Sequence, residues 1–361
     1  MIAGSRRAAL VRSLRWLGWP YGWAARVRAW LYRRGWLPAY RLPRPVISIG
    51  NLTVGGTGKT PVVIYVVEWL SARGKRVAVL SRGYRRRSTQ RHLLVSDGDR
   101  VLADADQAGD EPYLIARRCP QAVVAVGPDR YRLGRWVLEQ GPVDYFVLDD
   151  GFQHLHLHRD LDLLLLDATD IAGIQALLPV GRLREPLCAA SRASALLLTR
   201  ADKESQVGAV WETVRRACGL LPEPIRVLFK ADDLIHVTTG ERRSAGRFSE
   251  KRAVLFSGIG NAAAFHDLVA GLGIAVADAV VLPDHARYDH AMLNNIRERA
   301  KRVDADLLVT TEKDAGKIAM FLTPGDSCWA LRLYTDIPAG RERLEQLMIS
   351  ATAGCATEAC A

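Results

Sequence analysis

No acidic side chain precedes Glu68, although the chain carries 39 aspartates and glutamates in all. Residues 1–44 hold ten arginines and nothing to neutralise them, so this segment has to face water or an anionic partner. Cysteine is sparse. Its six copies (Cys119, Cys188, Cys218, Cys328, Cys355 and Cys360) include no C-x-x-C pair. That spacing argues against a thiolate zinc site and a disulfide framework, and it fits a reducing cytosol. Long apolar runs are also missing. No stretch reaches the roughly 18 residues a spanning helix needs, so no helix is expected to cross a bilayer. There is no internal repeat.

What is present is a chain of 361 residues, 49% hydrophobic, long enough to bury the cores of one large or two medium domains. Its net charge of +11 points to an acidic partner: nucleic acid, an anionic membrane or a phosphorylated substrate. The first 44 residues interleave arginine, leucine and tryptophan, with Trp16, Trp19, Trp23, Trp30 and Trp36 among them. Pro20 and Gly22 predict two short helices there rather than one. Arginines break up any apolar core long enough for a secretory signal. The composition suits helices lying in a membrane interface, arginines toward headgroups and tryptophans at the acyl boundary. The alternative packs Trp and Leu on the protein itself, and the two readings are compatible.

The chain is organised around Val46–Pro61, VISIGNLTVGGTGKTP. An apolar β-branched run leads into a glycine-rich turn, and Pro61 sits in the first turn of a predicted helix. Strand, glycine-rich loop and helix form the order a phosphate cradle needs, because turn N–H groups and the helix N-terminus both favour an anion. Thr53, Val54, Gly55, Gly56, Thr57 and Gly58 would form the cradle. Lys59 would reach the β/γ-phosphates, and the Thr60 hydroxyl would sit on Mg²⁺. The usual spacing requires glycine where Thr53 stands, so the loop is a GGxGKT variant. An ordinary glycine-rich βα turn is the alternative.

Residues 45–222 alternate predicted strands (46–49, 77–80, 122–126, 145–148, 161–166, 195–199) with helices (61–73, 111–118, 130–140). The pattern predicts a doubly wound, mostly parallel α/β domain. Pro222-Glu223-Pro224 marks a boundary. Beyond it a strand pair, 226–229 and 234–238, leads into a smaller α/β domain ending near residue 350. Residues 351–361 read as a disordered tail.

Four further stretches carry chemistry. Asp149 and Asp150 end an apolar strand in LDDGFQH, where phosphate-loop proteins hold Mg²⁺; a solvated turn is the alternative. Asp110 and Glu111, in QAGDEP, enter a helix. They read more readily as a cap than as a base for an acceptor hydroxyl. SRGYRRR places Arg82 at a strand end, and PVGRLREP gathers Arg182, Arg184 and Glu185 in a proline-bounded loop suited to an anion. In the later block, Gly258–Asn261, Pro283-Asp284-His285 and Thr310–Asp314 put polar clusters after strands. They suggest a face opposed to the nucleotide, as in kinases that close over their reactants.

Taken together, IGNLTVGGTGKTP, SRGY, GDEP, GPDR, LDDGFQH, GRLREP, FSGIGN, PDH and TEKD, running in order from residue 49 to residue 314, resemble the tetraacyldisaccharide 4'-kinase (lipid A 4'-kinase) family. The resemblance implies a P-loop NTPase-like fold and ATP- and Mg²⁺-dependent phosphorylation of the 4'-hydroxyl of a tetraacylated glucosamine disaccharide 1-phosphate. It also implies a peripheral enzyme on the cytoplasmic face of the bacterial inner membrane. It assigns Lys59 and Thr60 to the phosphates and metal, and Asp149, Asp150 and Glu185 to the metal site, with Gln153 and His154 beside it. Asp110 becomes the catalytic base with His285 as its partner, Arg184 lines the site, and Arg130 contacts nucleotide or substrate. The chain departs from the pattern with Ala286-Arg287 after the Asp-His pair and Ala262 after Asn261. The expected partners are the lipid A precursor and the anionic membrane surface, with no nucleic acid, and the chain is expected to act as a monomer. A phosphate-loop ATPase and a nucleic-acid-binding protein are the rivals. The first leaves the Trp/Arg segment unexplained, and the second lacks a recognisable binding motif.

Overall fold

The computed structural model describes residues 18–353. Thirteen strands run among these residues: β1 (Val46–Asn51), β2 (Val77–Ser81), β3 (Leu93–Asp97), β4 (Val123–Val126), β5 (Tyr145–Asp149), β6 (Leu161–Asp167), β7 (Ala195–Thr199), β8 (Ile225–His236), β9 (Arg242–Ser244), β10 (Arg252–Ser257), β11 (Ala275–Val281), β12 (Leu307–Thr311) and β13 (Cys328–Ala339). The longer helices are α1 (Gly18–Arg33), α2 (Lys59–Ser71), α3 (Asp110–Arg118), α4 (Arg130–Gln140), α5 (Glu204–Cys218), α6 (Ala262–Gly271), α7 (His290–Arg302), α8 (Glu312–Ile318) and α9 (Arg341–Ala353). Strand and helix alternate as expected, and the molecule is a mixed α/β protein with mostly parallel pairing.

The chain divides into two compact units. The first comprises the described residues up to Arg82, then Gly127–Leu228 and the residues from Asp336 onward. Its strands lie in the order β8-β7-β6-β1-β5-β2, all parallel. β1, β5, β6 and β7 are buried along their whole length, which is why they read as continuous apolar runs. Each of Leu163, Leu164, Leu165 and Leu166 is fully buried, a contribution of roughly 1.5–3 kcal/mol per side chain. The carboxyl ends of β1, β5, β6 and β7 carry Asn51, Asp149, Asp167 and Thr199. Ligands of open parallel sheets bind outside these ends.

The second unit comprises Gly83–Val126 and Phe229–Thr335. Here β11-β10-β12-β13 are parallel, β3 and β4 form an antiparallel pair, and the second half of β8 pairs with β9. The units are therefore not the contiguous stretches 45–222 and 223–350 that the sequence suggested. Residues 83–126 join the second unit because α3 packs on α8. Arg118 donates to Glu312 at 2.8 Å with both side chains nearly buried, and the same guanidinium reaches the Leu333 carbonyl at 3.0 Å.

Other expectations change as well. α1 runs unbroken through Pro20 and Gly22 across its described part, so two short helices are not seen there. Gly22 serves close approach instead: a Cβ there would lie 2.5 Å from the Leu177 side chain. Trp16 and the residues before it lie outside the described residues. The expected strand pair at 226–238 is one strand, Ile225–His236, with no glycine or proline to interrupt it. The turn comes later, where Gly240 at φ 71 donates to the His236 carbonyl at 2.9 Å. β3 and α8 were not anticipated. Residues 351–353, expected in the tail, continue α9 to Ala353, and the rest of that stretch lies outside the described residues. No helix among the described residues is long and apolar enough to cross a membrane.

Candidate active site

In the first unit, β1 ends at Asn51 and α2 begins at Lys59. Gly58, at φ 82, makes the left-handed turn into the helix, a conformation that costs glycine little. No side chain caps α2 there, so its first N–H groups face the loop. The loop is held by Asn51 at the end of β1, by residues at and after the end of β7 and by the 182–183 segment. Asn51 Nδ2 donates to Thr57 Oγ1 at 2.8 Å, and the Thr199 hydroxyl donates to the Thr57 carbonyl at 2.9 Å. Arg200 donates to the Gly56 carbonyl at 3.1 Å and pairs with Asp167. Arg182 donates through Nε and Nη2 to the Val54 carbonyl at 3.0 and 2.7 Å, and Thr53 bridges to Leu183. Gly55, Gly56 and Thr60 complete the segment.

The cations and carboxylates of this unit converge on Asp150, which sits at φ 55 just past β5. Lys59 Nζ lies 3.5 Å from its Oδ1, and Arg184 grips both oxygens at 2.8 and 2.9 Å while also reaching Asn51 Oδ1. Burial would raise the Asp150 carboxyl, but Lys59 and Arg184 overcome it and hold the group far below the usual carboxylate range. Asp149, buried at the end of β5, accepts from the Ser81 hydroxyl at 2.8 Å. Arg130 is buried at the start of α4; burial pushes its guanidinium below the ordinary value, against the pull of Asp149 and Asp150. Its Nη1 donates to the Pro128 carbonyl at 3.0 Å. His154 is pushed down to about 4 by burial and then by Arg130, so it is neutral at physiological pH. The Gln153 side-chain amide donates to the Asn51 backbone carbonyl at 3.0 Å, and the Gln153 backbone carbonyl accepts from Arg28 of α1 at 3.1 Å.

Glu185 does not join this group. Arg192 holds both of its carboxylate oxygens, at 2.7 and 3.2 Å, and the same guanidinium lies over the Phe152 ring at 4.5 Å. Its geometry is that of a buried ion pair rather than of a metal ligand.

In the second unit, Asp110 opens α3 but does not cap it. The cap position is Gly109, and Asp104 caps the preceding short helix, accepting from Gln107 N at 2.8 Å. The cap reading of Asp110 fails because its carboxylate is drawn into tertiary contacts. His285 Nδ1 lies 3.0 Å from Asp110 Oδ2, and Lys317 Nζ lies 3.2 Å from the same oxygen. No hydrogen bond is made to Oδ1 among the described residues, so one oxygen is anchored and the other is open to a hydroxyl. Lys313 Nζ lies 3.3 Å from His285 Nε2. An ammonium has only N–H to offer, so Nε2 accepts and Nδ1 carries the hydrogen toward Asp110. Burial would raise the Asp110 carboxyl, yet the His285 hydrogen bond, Lys317 and Lys313 bring it below its ordinary value. The Tyr84 ring meets His285 edge-on at 5.4 Å.

A family model described as tetraacyldisaccharide-1-P 4'-kinase matches residues 10–352. The chain belongs to that family. The tetraacyldisaccharide 4'-kinase of Pelobacter propionicus is 39% identical over 327 residues, 88% of this chain and 87% of that one. The Geobacter metallireducens protein of the same name is 41% identical over 304 residues, 84% of this chain and 87% of its own. Among solved structures, the "apo" form of LpxK from Aquifex aeolicus in complex with ATP superposes with a TM-score of 0.75 at 33% identity. It covers 95% of this chain and 99% of that one.

Several residues of these clusters escaped sequence reasoning. Asn51 and Arg200 act on the loop, one from inside its motif and one from β7's far end; neither type announces itself in a strand–loop pattern. Lys317 falls three residues after Asp314 and four after Lys313 on one helix. That spacing is the only sequence signal for it.

Proposed function

We propose that this chain is a lipid kinase that transfers the γ-phosphate of ATP to the 4'-hydroxyl of a tetraacylated glucosamine disaccharide 1-phosphate, a step of lipid A synthesis. The observation that carries the reading is the pair Lys59 and Arg184 gathered on Asp150 beside the Gly55–Thr60 turn, within a chain matched almost end to end by the kinase family. The first unit, read as a P-loop NTPase-like domain, supplies nucleotide binding. Turn N–H groups and the α2 N-terminus would take the phosphates, with Lys59, Arg184 and Arg130 countering charge that builds on the transferred group.

The donor set fits Mg²⁺. Thr60, Asp149 and Asp150 offer hard oxygens, and this ion is commonly held by one or two carboxylates together with substrate phosphates. Asp149 is the stronger ligand in this reading, because both oxygens of Asp150 are already gripped by Arg184. Mg²⁺ at this position would neutralise β/γ-phosphate charge. The second unit, a smaller α/β domain, supplies the base: Asp110 Oδ1 takes the 4'-hydroxyl proton as the oxygen attacks phosphorus, while His285 fixes Oδ2. Incubation with γ-labelled ATP, Mg²⁺ and the tetraacyldisaccharide 1-phosphate in detergent tests the whole reading. Label should enter the lipid; phosphate release with none in the lipid would favour an ATPase instead.

The enzyme works peripherally, on the cytoplasmic face of the inner membrane and as a monomer. Trp19, Trp23 and Trp36 are 77%, 69% and 69% exposed, which leaves them available to an interface, and arginines flank them. Substituting these three by alanine should weaken binding to anionic vesicles several-fold; unchanged binding would remove the interfacial role. Sedimentation at assay concentration checks the monomer.

A further inference from the structure

Lys317 sits on α8, in none of the motifs that carry the family resemblance, and its side chain is 10% exposed. Three oxygens surround its ammonium: it donates to the Ala286 carbonyl at 3.2 Å and forms ion pairs with Asp110 Oδ2 at 3.2 Å and Asp314 Oδ1 at 2.8 Å. The Tyr288 ring closes a fourth side at 5.5 Å. Asp314 is fully buried and is itself fixed, since its Oδ2 accepts from Gly258 N at 2.9 Å and from the Thr311 hydroxyl at 2.8 Å. The lysine head is thus tied at one end to the turn after β10, through Asp314, and at another to the residue after His285.

We propose that Lys317 is a positioning residue for phosphoryl transfer, holding the Asp110 carboxylate in one orientation and ionised, with Asp314 as its anchor. This rests on the reading of Asp110 as the base. The physical argument is one of division of labour on a single oxygen. His285 and Lys317 both bind Oδ2, so the plane of the carboxylate is set and Oδ1 is presented to a hydroxyl. An imidazole N–H alone would leave the carboxylate free to rotate about that single bond. A second donor from a different element removes the rotation, and misplacement of a base by about 1 Å is enough to cost about 100-fold in rate. The other charged or titratable groups around Asp110 do not replace it. Lys313 is turned to His285 and lies 3.7 Å from Glu111 and 3.5 Å from Asp284, while Tyr288 and Asp314 offer no positive charge.

The test uses the full chain in the lipid phosphorylation assay, with thermal melting and nucleotide affinity measured in parallel. Lys317→Met should lower kcat by about ten- to a hundred-fold with the KM for ATP within about two-fold. It should also move the acidic limb of the kcat–pH profile to higher pH, since the positive charge that favours the ionised carboxylate is gone. Lys317→Arg should return the limb and recover part of the rate. Lys317→Met combined with Asp110→Ala should be no slower than Asp110→Ala alone. Full kcat with an unmoved limb in Lys317→Met overturns the proposal, as do losses that multiply in the double variant. If Lys317→Met does not fold, the double variant Lys317→Gln/Asp314→Asn, which keeps hydrogen-bonding groups and removes both charges, decides by the same limb. Near-normal turnover of Asp110→Ala would overturn the base reading itself, an outcome distinct from failure of Lys317 alone.

Discussion

Asp150 and Asp110 are both carboxylates held ionised by neighbouring cations, yet they are built in opposite ways. Asp150 is saturated: Arg184 takes both oxygens and Lys59 stands 3.5 Å away. Asp110 is anchored on one oxygen only, by an imidazole and a lysine. A saturated carboxylate is a poor base but a good organiser of cations; a half-anchored one can accept a proton. The difference teaches where each cluster's chemistry lies. The first presents fixed positive charge for an anion, and the second presents a lone pair for a hydroxyl.

The largest effect should come from the first cluster. Lys59→Ala removes the cation that the proposed function assigns to the transferred phosphate and should lower kcat by about 10³-fold or more, measured as label transferred from ATP to lipid. Turnover within ten-fold of the unaltered chain would break the assignment of Lys59 to the reacting phosphates. Asp110→Ala follows, with kcat lower by about 10²- to 10⁴-fold and ATP affinity retained in a direct binding measurement. If ATP affinity fell instead and kcat held, the two clusters would not divide the work as argued.

The clusters also differ in how far they could be read from sequence. The glycine-rich strand–turn–helix at residues 46–71 and the strand end at LDDGFQH were legible because each is contiguous: the elements follow one another, and glycines stand where the backbone needs them. The reading of Asp110 as a base came only through family likeness. Local rules favoured Asp110 as a cap, but the cap position of its helix is Gly109, and Asp104 caps the short helix before it. The contacts that favour the base reading, His285 and Lys317, come from chain 175 and 207 residues further on, where no local pattern reaches. Glu185 shows the converse: it adjoins Arg184 in sequence, but a salt bridge to Arg192 takes it out of the group. Pro20 and Gly22 misled for a similar reason, since Gly22 answers to the Leu177 side chain rather than to the helix around it.

A third prediction concerns what supports the proposed base. Arg118 and Glu312 join α3, which Asp110 opens, to α8, which carries Lys313 and Lys317. Their side chains are 8% and 12% exposed, so Glu312→Ala would strand a buried guanidinium at a cost of about 3–5 kcal/mol. Chemical denaturation should show it. Replacing both residues by apolar ones of similar size should cost much less, which separates the ion pair's worth from the penalty of breaking it.

The smallest effect is a linkage between pH and stability, and it sharpens the contrast between the two carboxylates. Asp110 is below its ordinary value in the folded chain. A carboxyl depressed by folding stabilises the native state at every pH above its unfolded value, about 3.9, and that contribution is lost as pH falls through the folded value. Asp110→Asn removes the contribution. The gap in melting temperature between the unaltered chain and this variant should therefore be constant near neutrality and shrink as pH falls below about 4. Asp150→Asn should behave differently. Its carboxyl is held much lower by Lys59 and Arg184, so its share of the stability should persist to more acidic conditions than that of Asp110. Identical pH dependence for the two variants would mean that the cations around Asp150 do no more than the imidazole and lysine around Asp110, and the contrast between a saturated and a half-anchored carboxylate would fail.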